Sequence, residues 1–149
     1  MAAIFYDAFE GASPHLQSLI YRARRLFFYE DRSGTWTTGT DAELAEAAEM
    51  YLVAADQAET ERLDVAAREL RSKAREMYVR LWARHNIPGV RTSTDQNAVA
   101  ARSRRRLAYG HIDYWNNRDG TEARLFRITS PDNRIHFVRV NDRGEVRPA

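Results

Sequence analysis

TDAELAEAAEMYLVAADQAETERLDVAARELRSKAREMYVRLWARHN, residues 40–86, contains neither glycine nor proline, and its reading decides the fold. Thr40-Asp41-Ala42-Glu43 opens it with a capping-box pattern. Leu44, Ala47, Ala48, Tyr51, Leu52 and Ala55 then recur at helical spacing, as do Leu63, Ala66, Leu70, Ala74, Met77 and Leu81. Between the two sets, Asp56-Gln57-Ala58-Glu59-Thr60-Glu61 offers only Ala58 for burial. One reading is a single helix of about forty-five residues, roughly 70 Å long at 1.5 Å per residue. The other is two helices broken near Asp56 to Thr60, with Thr60 capping the second. The lack of glycine or proline favours a continuous or kinked helix. Such a rod is longer than a domain of this size is wide, so its overhang would pair with a second copy as a homodimer.

Ahead of this segment, Ile4, Phe5, Tyr6 and Phe9 form an aromatic opening, read as a short strand or an arm. Ser13-Pro14 reads as an N-cap followed by proline at the first helical position. A helix is expected over 14–30, ended by Asp31-Arg32-Ser33-Gly34, with Thr35-Trp36-Thr37-Thr38 as an extended bridge. After it, Ile87-Pro88-Gly89-Val90 stops the long segment. Ser93-Thr94-Asp95-Gln96 is a second capping-box pattern and starts a basic helix over 94–107. The period then changes. Residues 109–115, 123–130 and 134–140 read as strands, with Ser130-Pro131-Asp132-Asn133 as a hairpin turn and a further short strand near Val146. The expected class is therefore α+β, mainly helical, with a small C-terminal antiparallel sheet. The 149 residues suit a single domain, with a helical part over 1–90 and a basic part over 91–149 as a sub-division.

Charge is distributed unevenly. Residues 1–61 carry four bases and eleven acids, a net −7, and residues 62–149 carry nineteen bases and ten acids, a net +9. That split points to a basic surface for a polyanion, unless the halves neutralise each other. Every base except Lys73 is arginine. The chain has no cysteine, which removes disulfides and thiolate metal sites. No apolar run approaches the ~20 residues of a membrane span. The opening Met1-Ala2-Ala3-Ile4-Phe5-Tyr6-Asp7 lacks the pattern of a secretory signal. A cytoplasmic protein with no membrane partner is expected.

The sharpest chemical signal is Arg102-Ser103-Arg104-Arg105-Arg106. Arginine forks match phosphate oxygens, and counterion release drives such binding. Arg91, Tyr109 and Arg118 are candidate helpers, and Tyr109, His111, Tyr114 and Trp115 offer rings for stacking. The competing reading is a helix C-terminus whose arginines complement its dipole. The order helix, turn, basic helix, hairpin resembles the outline of a winged helix–turn–helix, with 93–107 as the reading helix and the Pro131 turn as the wing. The turn over 87–92 is longer than that motif's usual three or four residues.

Catalytic signals are sparse. Arg80-Leu81-Trp82-Ala83-Arg84-His85 has the Arg-x4-His spacing that resembles HEPN ribonucleases. Arg106 and His111 share that spacing by composition, and Leu81 departs from the polar residue usual after that arginine. His111, Asp113 and His136 make a conceivable ligand set without a motif. No cofactor and no metal are expected. The expectation is a non-enzymatic protein binding DNA or RNA, or its machinery, through the basic C-terminal half. The first alternative is a small inhibitor or adaptor, of the kind mobile elements encode, engaging a basic protein partner through the acidic helix over 41–61 with Glu43, Glu46 and Glu49. A small ribonuclease is the further alternative.

Overall fold

The 40–86 segment folds back on itself. The computed structural model describes residues 8–30, 36–88, 90, 111–114, 122–130 and 132–149. Its elements in chain order are α1 (Pro14–Phe27), β1 (Phe28–Glu30), β2 (Trp36–Thr38), α2 (Asp41–Thr60), α3 (Asp64–Asn86), β3 (His111–Tyr114), β4 (Leu125–Thr129), β5 (Ile135–Val140) and β6 (Val146–Pro148). The class is α+β with mainly helical content, as the periodicities indicate.

Thr40 caps α2 as its sequence implies. Its hydroxyl accepts from the Glu43 amide at 3.2 Å, and its own amide donates to the Glu43 carboxylate at 3.0 Å. The expected continuous helix is corrected at the other end. α2 stops at Thr60, and the Leu63 amide donates back to Ala58 O at 2.8 Å while the Arg62 amide donates to Glu59 O at 2.9 Å. This is the Schellman pattern, with Arg62 at φ 61° in the left-handed position that glycine normally takes. Thr60 does not cap the next helix. Its hydroxyl donates to Asp56 O within α2, and α3 starts from Leu63 with no side-chain cap.

The two helices then run antiparallel. Asp41 at the start of α2 meets Arg84 at 3.0 Å and His85 at 2.6 Å at the end of α3, and Glu59 pairs with Arg71. The physical reason for the fold-back is the alanine content. Ala47, Ala54, Ala55 and Ala58 of α2 and Ala66, Ala67 and Ala74 of α3 are all buried in one core with Leu16 and Leu19 of α1. Small side chains bring helix axes close, and that packing offsets the strain at Arg62. The overhang that suggested a homodimer therefore does not arise.

Arg62→Gly follows as a test of the turn. A left-handed non-glycine residue costs about 1–2 kcal/mol, and glycine's extra unfolded-state entropy returns part of that. The substitution should raise stability by about 0.5–1 kcal/mol in chemical denaturation. A loss of stability would mean that residues 61–63 do not form this turn.

α1 is shorter than expected. Ser13 caps it, its hydroxyl accepting from the Leu16 amide at 3.1 Å and donating to Glu61 at 2.6 Å, so α1 is also tied to the α2–α3 turn. It ends at Phe27 rather than residue 30, because residues 28–30 pair antiparallel with residues 36–38. Aromatic and β-branched residues on both sides favour that exchange. Gly39 lies tight against α1, where a Cβ would collide with Leu26 O.

The C-terminal strands form one antiparallel sheet in the order β3-β4-β5-β6. Its inner face packs Phe126, Ile128, Val138 and Val140 onto Val79 and Ala83 of α3 and onto Ile87 just after it. Helix α3 is therefore buried on two faces, against helices on one side and the sheet on the other. The expected hairpin is part of this packed sheet and not a projecting wing. The expected basic helix over 94–107, the aromatic opening over 1–7 with Ile4, Phe5 and Tyr6, and Pro131 lie outside the described residues.

Candidate nucleic-acid interface

Glu122 and Ala123, just before β4, are clasped by α3. Arg71 and Arg75 reach the Glu122 carboxylate at 3.1 and 2.7 Å, the Ala123 amide donates to the Ser72 hydroxyl at 3.0 Å, and Arg75 also reaches Asp142 at 3.2 Å. Gly144, in the β5–β6 turn at φ +81°, lies where a Cβ would stand 2.8–2.9 Å from the Tyr78 ring of α3. Only glycine meets both conditions. The sheet is thus a fixed platform with one face committed to α3.

Alternation along the strands sets the other face. In β4, Phe126 and Ile128 point inward, leaving Leu125, Arg127 and Thr129 outward. In β5, Val138 and Val140 point inward, leaving Ile135, Phe137 and Arg139 outward. The register aligns these into rows. Asp113, Arg127 and Phe137 form one row across β3, β4 and β5. Leu125, Arg139 and Arg147 form the next across β4, β5 and β6. Thr129 and Ile135 form the third.

This face is apolar and cationic together. Phe137 is 47% exposed, Ile135 56% and Leu125 37%. Arg127 donates to Asp113 at 2.7 Å, which draws its guanidinium toward β3, the side of β4 away from Phe137. Arg147 has only a loose pair with Glu145 at 3.8 Å, and Arg139 makes no ion pair among the described residues. Arg134 and Arg143 stand exposed in the two turns that bound β5. At the first turn Ser130 donates to Asp132, which holds that carboxyl below its ordinary range. At the second, Arg124 pairs with Asp142 at 2.6 Å and lowers its pKa in the same way.

The residues singled out from sequence fall differently. Arg91, Arg102, Arg104, Arg105, Arg106, Tyr109 and Arg118 lie outside the described residues, as does Trp115. Tyr114, offered as a stacking ring, belongs to the core. Its ring centroid is 5.1 Å from that of Phe126, and burial pushes its phenol well above its ordinary pKa. Asp113 is engaged by Arg127 rather than standing open to a metal with His136. Arg80 pairs with Glu76 at 3.0 Å and lies 4.7 Å over the Phe27 ring, while His85 sits on Asp41, so the Arg-x4-His pair is occupied by structural contacts.

The acidic helix is partly consumed as well. Glu43 serves the Thr40 cap, and with Glu46 it lines a cleft of about 440 Å³ between α1 and α2, together with Arg22, Arg25, Leu26 and Met50. Glu49 lies outside that lining and its charge acts on Tyr78. Phe137 stands in no sequence motif, unlike the arginine run. The available signal was that Leu125, Ile135 and Phe137 make the strands apolar on both faces.

Comparison with protein-family models, curated proteins and solved structures finds no match to this chain. The functional reading therefore rests on the site itself.

Proposed function

We propose that this protein binds nucleic acid, without acting on it chemically, through its basic C-terminal half. The observation that carries the reading is the outer face of the sheet, where exposed Phe137 lies among Arg127, Arg139 and Arg147. Guanidinium groups supply phosphate contacts, and an exposed ring beside them supplies a surface for bases. Four arginines in the run Arg102 to Arg106 lie just ahead of β3 in the chain and add to the same charge. No helix among the described residues is long and apolar enough to cross a membrane. A cytoplasmic setting goes with this reading.

The test is fluorescence anisotropy with labelled DNA and RNA at two salt concentrations. With about five phosphates neutralised, affinity should fall on the order of 100-fold between ~50 and ~200 mM salt. Arg139→Ala with Arg147→Ala should weaken binding and flatten that dependence. No binding at the lower salt, or binding indifferent to salt, would overturn the proposal.

A second reading is an inhibitor or adaptor that engages a basic protein through α2. It is favoured by Leu52 and Val53, exposed between Glu49 and Asp56 on that helix. It ranks second because Glu43 is already engaged in the Thr40 cap, and α2's outer face has no ring for a hot spot.

A further inference from the structure

We infer that the outer sheet face takes single-stranded rather than duplex nucleic acid, with one base stacked on Phe137 and the adjoining phosphates on Arg139 and Arg147. This rests on the nucleic-acid reading above and narrows it to a ligand class and a pose.

The apolar content of the face decides between the two forms. A duplex turns its base faces inward and offers phosphates and groove edges, so it gains nothing from exposed Phe137, Ile135 and Leu125 on a sheet. A single strand offers unstacked bases whose faces cover such a ring, whatever their sequence. The fold supports this use. The face is held by a sheet whose other side is locked to α3, so neighbouring strands are about 4.8 Å apart and alternate residues on one strand about 6.8 Å apart. Phe137 thus has Arg127 one strand away in its own row and Arg139 two residues along β5. Those are reaches that one nucleotide can span.

Charge also gives the strand a side. Asp113 lies at the β3 end of the Phe137 row and neutralises Arg127. A phosphate there would meet a carboxylate. At the β6 end, Arg139 and Arg147 are register partners, opposed among the described residues only by the loose contact of Glu145 with Arg147. The backbone therefore runs on the β5–β6 side, and the bases turn toward Phe137 and Ile135. Arg127, drawn to Asp113 on the β3 side, is neutralised there and is not offered to a phosphate.

The experiment uses the full chain and anisotropy at one low salt concentration. The probes are a labelled oligothymidylate, a labelled oligouridylate and a labelled hairpin duplex with as many nucleotides. The single strands should bind at least about 10-fold tighter than the duplex. Phe137→Ala should cost the single strands roughly 5- to 150-fold, the range for one stacked base, and change duplex affinity little. Phe137→Leu should remain weakened, because it keeps apolar area but loses the ring face. Phe137→Trp should bind at least as well as the parent, which separates stacking from a folding defect. Circular dichroism melts of all three should match the parent, since the side chain lies on the exposed face. Duplex binding as tight as single-strand binding, or Phe137→Ala without effect on the single strands, would overturn this inference and leave the broader reading standing. Binding to none of the probes would overturn both.

Discussion

Replacing Phe126 with alanine should lower the free energy of unfolding by about 3–5 kcal/mol, measured by urea denaturation. The side chain is fully buried in β4, between the sheet and α3, and its ring packs on Tyr114. Its neighbours are Val79 and Ala83 of α3 and Val138 of β5. These are on regular elements pinned by the Glu122 clasp and the Gly144 turn, so they collapse poorly into the space that truncation leaves. The large cost has two parts, lost transfer free energy and a residual cavity. Phe137→Ala, on the opposite face of the adjoining strand, should change stability by only about 0.5 kcal/mol. The phenylalanines of the two adjoining strands thus separate into one that holds the sheet and one exposed on its outer face. Equal losses at both positions would mean that the sheet has no free face.

Glu76→Ala should cost about 3 kcal/mol at neutral pH, the low end for breaking a buried ion pair. Glu76 is 4% exposed in the middle of α3, with Lys73 at 3.2 Å and Arg80 at 3.0 Å. Burial alone would raise its pKa, but Lys73 and Arg80 together outweigh that and hold it below the ordinary 4.5. The folded-state value thus lies below the unfolded one. Its contribution is therefore present above about pH 4.5 and is lost as pH falls through the lower folded value. The stability gap between parent and variant should be widest near neutrality and narrow in acid. A gap that grows in acid would mean that Glu76 is held protonated in the folded protein. Asp41, Asp132 and Asp142 are also lowered. They remain in both proteins, so the difference between the two isolates Glu76.

Local signals were legible in the sequence and tertiary ones were not. The Thr40 and Ser13 caps could be read directly, because a cap is a matter of residues three apart. The β4–β5 hairpin could be read because turn chemistry and period 2 both lie within the short stretch Leu125 to Val140. The end of α2 was hidden. Arg62 takes a left-handed conformation without glycine, and what selects it is the close packing of alanines far apart in the chain. The sign change of charge near residue 61 was the clue available, since an acidic helix followed by a basic one is set to pair when folded back. That pairing, seen at Asp41 with Arg84 and at Glu59 with Arg71, neutralises part of the split that first suggested a polyanion. The split alone is therefore a weaker argument than it looks from composition. The stronger one is local to the sheet, where Arg139 and Arg147 face outward beside an exposed ring. Sequence pointed to arginine density, whereas geometry points to arginine beside apolar surface.

Amide chemical-shift mapping of the isotope-labelled full chain, titrated with an unlabelled oligothymidylate, tests the binding surface most directly. Shifts should concentrate at Arg127, Phe137, Arg139 and Arg147, and leave Glu46, Glu49 and Asp56 of α2 in place. Shifts confined to α2, or none on β4 to β6 at saturating oligonucleotide, would contradict the assignment of this face to nucleic acid.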